Sequence, residues 1–237
     1  MSPIIIEAHR GDSFAAPENT LAAFQSAVAL KAPSIELDVH PTADGVLAVI
    51  HDDRVDRTTN GSGTVCDLTF DELRHLDAGA WFAPQFAGER IPRLEEVLEL
   101  LASSITRLNV EIKSSPPGQN APRTVVDLLR RAGKAHEYVV SSFDLAALLE
   151  VQALAPEIVL ALIGHGPEIL PLALQHHLEW IHAYHATLTE DIVIRAHAAG
   201  LGVNVWTVDE PAMLAHWSSV GVDKLCTNRL ALMLAAA

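Results

Sequence analysis

The chain of 237 residues is short of several things. It has two cysteines, Cys66 and Cys226, too few for a disulfide framework, so a reduced, cytoplasmic setting is the simplest expectation. It is short of cations: 16 Lys and Arg stand against 30 Asp and Glu. The resulting net charge of −14 speaks against a nucleic-acid partner, whose phosphate backbone needs a basic face. A small phosphate substrate needs only one local cationic pocket and stays possible. No apolar run approaches the roughly 18 residues of a membrane span, so no stable membrane insertion is expected. Residues 1–7 lack the basic start and the apolar length of a signal peptide. No G-x-G-x-x-G follows the first apolar run, which counts against an open dinucleotide-binding sheet. There are no low-complexity tracts, and the sequence specifies no oligomeric state.

What is present is an alternation of short apolar runs with helical patterns. Strands are expected at 4–8, 34–39, 108–112, 138–141, 158–163, 179–183, 202–207 and 223–226. Helices are expected at 20–31, 94–103, 123–132, 144–154, 167–177, 189–199 and 210–219. Thr189 is a cap candidate, and Gly133, Gly200 and Gly221 stand where helices should stop. Eight β-α units in a chain 49% hydrophobic predict one α/β domain, a (β/α)8 or TIM barrel spanning 1–237.

One segment breaks the rhythm. The second strand runs into Pro41-Thr42-Ala43-Asp44-Gly45 and then a second β-like run from Val46 to Ile50. The link is too short for a parallel crossover. Asp44-Gly45 reads as a two-residue hairpin turn, which would set Ala43 against Val46 and Asp38 opposite His51. Residues 53–92 form a long insertion before the next helix, expected to cap or border a site. Ser114 to Pro122, rich in Ser, Pro and Gly, reads as a mobile loop.

Polar residues cluster at the strand ends: His9 after the first, Glu36 and Asp38 on the second, Glu111 and Lys113 at the third, Trp206 at the seventh. In barrel enzymes that end is the active face. Glu36 and Asp38 are two apart on a strand and point to one face; with Glu111 they would repel unless a cation lay among them. An all-oxygen set suits Mg²⁺ or Ca²⁺ rather than zinc. The bland alternative is a set of carboxylates paired with Arg10 and Lys113. His9 and His51 come from separate segments and flank the presumed cation, so one can take a proton while the other gives one. Arg10 can clamp a phosphate with two parallel hydrogen bonds, and Lys113 adds a point charge. Among the other histidines, His75, His136, His176, His177, His197 and His216 look solvated, whereas His165, His182 and His185 stand near strand ends. Pro17 to Thr20 reads as the start of the first helix, with Asn19 a cap candidate and Glu18 near the helix N-terminus.

Over nearly its whole length the chain resembles glycerophosphodiester phosphodiesterases. The resemblance is carried by AHRG (8–11), PENT (17–20), AF (23–24), ELDVHPTADG (36–45), VIHDD (49–53), RTTNGSG (57–63), GERIPRLEEVL (88–98), VEIK (110–113), SSF (141–143) and VWTVD (205–209). It implies a TIM barrel with a metal-dependent site at the strand C-termini. The implied roles are catalysis for His9 and His51, metal binding for Glu36, Asp38 and Glu111, and phosphate binding for Arg10 and Lys113. Residues 53–92 match the family's insertion, and Phe143 and Trp206 fall where glycerol or the head group is often lined. Two positions depart from the usual pattern: Asp209 stands where Asn is common after the WTV run, and Asn228 stands where Asp is common after the last strand; neither is expected to touch the cation or the histidine pair.

The expected reaction is hydrolysis of a small-molecule glycerophosphodiester to sn-glycerol 3-phosphate and an alcohol, with one divalent cation as cofactor. The nucleophile is either the substrate's own glycerol 2-hydroxyl or water. The rival expectations are a lysophospholipase D-like phosphodiesterase on the same scaffold, a catalytically silent barrel, and a metal-dependent sugar isomerase suggested by fold alone. The last would explain neither Arg10 beside His9 nor a hairpin carrying His51.

Overall fold

The computed structural model describes residues 3–104, 106–113, 120–133 and 137–237. Its strands are β1 (Ile5–Ala8), β2 (Ser34–Pro41), β3 (Leu47–Val49), β4 (Arg107–Ile112), β5 (Tyr138–Ser142), β6 (Val159–Gly164), β7 (Trp180–Tyr184), β8 (Gly202–Trp206) and β9 (Lys224–Thr227). Its helices are α1 (Leu21–Ala29), α2 (Phe70–Arg74), α3 (Leu94–Leu101), α4 (Ala121–Ala132), α5 (Leu145–Leu154), α6 (Ile169–Gln175), α7 (Glu190–Ala198), α8 (Pro211–Val220) and α9 (Leu230–Ala236). All strands but β3 are parallel neighbours, and β1 pairs with both β9 and β2, which closes an eight-stranded barrel. The eight expected strands and seven expected helices are all found, and Thr189 caps α7 by accepting the Ile192 N–H. Gly133 and Gly221 end α4 and α8 in the left-handed region, at φ 77° and 92°.

Alternation along the strands sorts the barrel into two environments. Ile6, Ile35, Leu37, Val39, Val110, Ile112, Val203 and Val205 are buried with Phe24, Val97, Val125, Leu148 and Ile192 of the surrounding helices. Their strand neighbours Glu7, Ser34, Glu36, Asp38, Asn109, Glu111, Ser141, His182, Asn204 and Lys224 are buried too, and they are polar. The hydrophobic core is thus the annulus between strands and helices. The barrel interior is a polar column, where barrels of this kind are commonly filled by branched apolar side chains.

The hairpin is found with a different turn. Val39 faces Val49 and Pro41 faces Leu47, so the loop holds three residues, Ala43, Asp44 and Gly45. The Gly45 N–H bonds to the Thr42 carbonyl, Gly45 takes φ 80°, and the chain rejoins through Thr42 N–H to the Val46 carbonyl at 2.9 Å. A type I turn followed by a left-handed glycine adds one residue to the expected turn. Asp38 therefore lies opposite Ile50, whose N–H bonds to the Asp38 carbonyl, and not opposite His51.

Residues 53–92 build a small core of their own, in which Val55, Val65, Leu73, Ala78 and Ile91 pack with Ala48 and Ile50 of the hairpin. Within it, α2 starts with a capping box between Thr69 and Glu72. Of the expected 114–122 loop, residues 114–119 lie outside the described residues, as does His136, and Ala121 and Pro122 begin α4. Both cysteines are free. Among the described residues no helix is long and apolar enough to cross a membrane.

Candidate active site

A cavity of about 240 Å³ opens at the C-terminal end of the barrel, lined by His9, Arg10, Glu36, His51, Glu111, Lys113, Phe143 and Trp206 among others. Asp38 lies against this group, 1% exposed. Eight predicted residues thus line one cavity and the ninth adjoins it. A larger hollow of about 860 Å³ lies at the opposite end, between Pro3–Ile5 and α8, so size alone would select the wrong place.

The loop after β1 is shaped by close approach. Gly11 takes φ 78°, and a Cβ there would meet the Ala23 backbone at 2.8 Å, so the chain can lie on α1 only with glycine. Arg10 and Asn19 adopt left-handed backbone at φ 57° and 58°, and the Asn19 N–H bonds to the Arg10 carbonyl at 3.0 Å. Thr20, not Asn19, caps α1 by accepting the Ala23 N–H. Asn19 instead turns inward and donates to Asp38 Oδ2 at 2.8 Å. The PENT segment therefore reaches the site twice, because Glu18 accepts from Arg10 at 2.8 Å and from Arg57 at 2.8 Å.

Glu36, Asp38 and Glu111 each offer an oxygen within 4.8 Å of the others, and all three are buried. Arg10 donates its backbone N–H to Glu36 Oε2 at 2.9 Å and lies 3.4 Å from Asp38 through Nε. Lys113 Nζ contacts Asp38 at 2.8 Å and Glu111. Burial, then the like charges of Asp38 and Glu111, push the Glu36 carboxyl well above its usual range. Burial and Asp38 raise Glu111 to about 7. Burial would also raise Asp38, but Lys113 and Arg10 override it and hold that group low. Glu36 Oε1 is buried without a hydrogen-bond partner. A crowded set of hard oxygen donors with an orphaned carboxylate oxygen fits a divalent cation of the Mg²⁺ or Ca²⁺ type. The bland reading, carboxylates fully answered by Arg10 and Lys113, leaves that oxygen unexplained.

The two histidines are anchored differently. His9 Nδ1 donates to Asn228 Oδ1 at 2.6 Å. Asp209 fixes the Asn228 amide by accepting its Nδ2–H and its backbone N–H, each at 2.8 Å. The two positions that depart from the usual pattern are thus in contact with each other, and, against expectation, Asn228 reaches the histidine pair through His9. His51 Nδ1 donates to Asp52 at 2.7 Å, and Arg57 holds Asp52 from the other side at 2.7 Å. His40, which the sequence reading passed over, donates from Nε2 to the His51 carbonyl at 3.0 Å and sets that backbone in place. Desolvation and Arg10 depress His9 to about 4. Burial lowers His51 as well, against the pull of Asp38 and Asp52. Burial thus works against the charged form of both rings, and each has Nδ1–H engaged and Nε2 left for proton exchange.

The insertion borders the site without capping it: none of residues 53–92 lines the cavity, and Arg57 is its link to Glu18 and Asp52. His165 lines the mouth and His182 the floor, whereas His185 packs on Tyr184 outside the cavity. Below the carboxylate triad, Glu7 accepts from Ser34 at 2.8 Å, Lys224 at 2.9 Å and Asn204 at 2.8 Å.

Residues 9–232 match the sequence profile of the Glycerophosphoryl diester phosphodiesterase family. The chain is 38% identical over 229 residues to a glycerophosphodiester phosphodiesterase of Caldanaerobacter subterraneus subsp. tengcongensis, covering 94% of this chain and 93% of that protein. Its fold matches an Oleispira antarctica phosphodiesterase, solved in complex with the product sn-glycerol-3-phosphate, with a TM-score of 0.93 at 27% identity, over 98% of this chain and 96% of that one. A glycerophosphodiester phosphodiesterase from Agrobacterium tumefaciens matches with a TM-score of 0.84 at 33% identity, over 98% and 99% of the two chains.

Proposed function

Because the chain belongs to the glycerophosphoryl diester phosphodiesterase family, we propose that it hydrolyses glycerophosphodiesters to sn-glycerol 3-phosphate and an alcohol, with His9 and His51 as the proton-transfer pair. The observation that carries this reading is one cavity lined by two histidines, each anchored at Nδ1, beside a buried carboxylate triad. Glu36, Asp38 and Glu111 would hold a divalent cation, Mg²⁺ or Ca²⁺, which when bound supplies Lewis acidity at a phosphoryl oxygen. Arg10 and Lys113 bring positive charge to the same wall and offset the charge that builds on the phosphoryl oxygens. Glu18 accepts from the Arg10 guanidinium, while Glu36 and the Asn19 backbone N–H fix the Arg10 main chain. One neutral imidazole takes the proton of the attacking hydroxyl at Nε2, and the other, entering the step as the imidazolium, delivers its Nε2 proton to the departing alkoxide. Asn228 and Asp52 hold the rings in the tautomer that leaves Nε2 available.

The test is release of glycerol 3-phosphate from glycerophosphodiesters, with and without chelator and with Mg²⁺ or Ca²⁺ restored, in wild type and in His9→Ala and His51→Ala. Cation-dependent release that falls by orders of magnitude in both variants supports the scheme. A variant with near wild-type turnover sinks it.

A further inference from the structure

Arg57 does not line the cavity and its side chain is 45% exposed, yet four of its five N–H donors are engaged. Its Nε and Nη2 edge donates to Asp52 at 2.7 and 3.0 Å. Its Nη1 and Nη2 edge donates to the two oxygens of Glu18, each at 2.8 Å. Both carboxylates pass the contact inward. Asp52 Oδ1 also accepts from His51 Nδ1 at 2.7 Å, and Glu18 Oε1 also accepts from Arg10 Nη1 at 2.8 Å. An unbroken run of hydrogen bonds therefore leads from His51 through Asp52, Arg57 and Glu18 to Arg10. Two ionised carboxylates only accept, so a shared donor has to stand between Asp52 and Glu18. The backbone that carries this donor is firmly tied. Val55 is buried in the minor core and bonds through its N–H to the Gly63 carbonyl at 3.0 Å. The buried Thr59 donates its hydroxyl to the Val55 carbonyl at 2.7 Å and closes the loop that holds Arg57. Asn60 and Asp77 then bind each other twice, Asn60 N–H to the Asp77 carbonyl and Asp77 N–H to Asn60 Oδ1.

We propose that Arg57 is a positioning residue for the reaction, and that it makes His51 and Arg10 act as one unit. The proposal rests on the phosphodiesterase reading of the site. Two adjoining forks on one planar guanidinium fix the planes of both carboxylates, which a flexible ammonium with a single charged atom does not do. With the Asp52 plane fixed, the His51 ring keeps its orientation and tautomer. With Glu18 fixed, the Arg10 guanidinium keeps its place beside Asp38. A lone exposed ion pair contributes little, but this one is a network of two bidentate pairs whose inner ends are largely buried. Without Arg57, two like charges near the site lose their common partner and turn independently. A displacement of about 1 Å at a reacting group is enough to slow a reaction about 10²-fold. The insertion thus reaches the chemistry through one guanidinium, without covering the cavity.

The experiment measures kcat and KM for glycerol 3-phosphate release, with the cation present, in Asp52→Asn, Glu18→Gln and the double variant, each with Arg57 intact and with Arg57→Ala. Arg57→Ala alone should lower kcat/KM by about 10²-fold, with kcat falling through His51 and KM rising through Arg10. With Arg57 intact, the double variant should be about 10-fold faster than the product of the two single losses. In the Arg57→Ala background the two losses should simply multiply. Arg57→Lys, which keeps the charge, should resemble Arg57→Ala, because one ammonium cannot form both forks. Guanidinium ion at millimolar concentration should restore part of the turnover of Arg57→Ala, since the position is open to solvent, and none of that of His51→Ala. Near wild-type kcat/KM in Arg57→Ala, full activity in Arg57→Lys, non-additivity that persists without Arg57, or guanidinium that restores nothing overturns the proposal and leaves the phosphodiesterase reading standing. No release by the wild type overturns that reading, and this proposal with it.

Discussion

Two buried carboxylate groups lie one above the other in this barrel, and they have opposite characters. The lower, Glu7, is answered on every side by Lys224, Ser34 and Asn204, and Lys224 also sits over the Trp180 ring at 5.3 Å. Burial works to raise its pKa, yet Lys224 wins and holds it to about 2. The upper group has three carboxylates, an orphaned oxygen on Glu36, and two members whose pKa values are pushed up. A buried carboxylate as such says nothing about function. Surplus charge and an unanswered oxygen separate a binding site from a structural ion pair.

The comparison can be broken by substitution, and the largest effect should be in the upper group. Glu36→Gln should cut kcat/KM by about 10³-fold or more, on the scale of lost electrostatic stabilisation, while the thermal midpoint holds or rises because a like charge has been removed. Glu7→Gln should do the reverse: about 3 kcal/mol of stability lost in urea unfolding, since Lys224 is left buried and unpaired, with a much smaller effect on turnover. The same pair sets an acid limit. The Glu7 carboxyl is depressed below its usual 4.5, so its contribution is whole above that pH and is lost as the pH falls toward 2. Glu7→Gln should flatten the pH dependence of stability across that window. A cation sharpens the contrast. Mg²⁺ or Ca²⁺ at about 100 times its Kd should stabilise the wild type by roughly 2.7 kcal/mol, read as a raised midpoint, and should leave Glu36→Gln largely unmoved. The smallest effect concerns an anchor. Asp209→Asn frees the Asn228 amide to flip, which would offer Nδ2–H to His9 and select its other tautomer. Turnover should fall about 10-fold with KM little changed, and ¹⁵N shifts of the His9 ring should report the changed tautomer. Unchanged ring shifts would remove the anchoring role.

Much of this was legible in the chain. The β-α rhythm specified closure, and the i, i+2 spacing of Glu36 and Asp38 put both on the inward face. Continuing that count by two more reaches His40, which holds the His51 backbone; strand alternation alone could have found it. Other features were hidden for physical reasons. Asn19 has the chemistry of a helix cap and also of a left-handed turn, and local propensity does not separate the two. The hairpin register turned on whether Gly45 closed a two-residue turn or followed a type I turn, a difference of one residue that moved His51 away from Asp38. The contact between Asp209 and Asn228, and the reach of Arg57 to Glu18 across 39 positions, exist only once the barrel has closed.

Arg57 has an operational consequence. The segment that carries it is stabilised by its own small core, not by the annulus between strands and helices. Heating that loosens this minor core would release Asp52, and with it the orientation of His51, while the barrel still gives a native spectroscopic signal. Thermal inactivation should therefore precede thermal unfolding, and the interval between the two curves measures how firmly one guanidinium ties a peripheral module to the reacting centre.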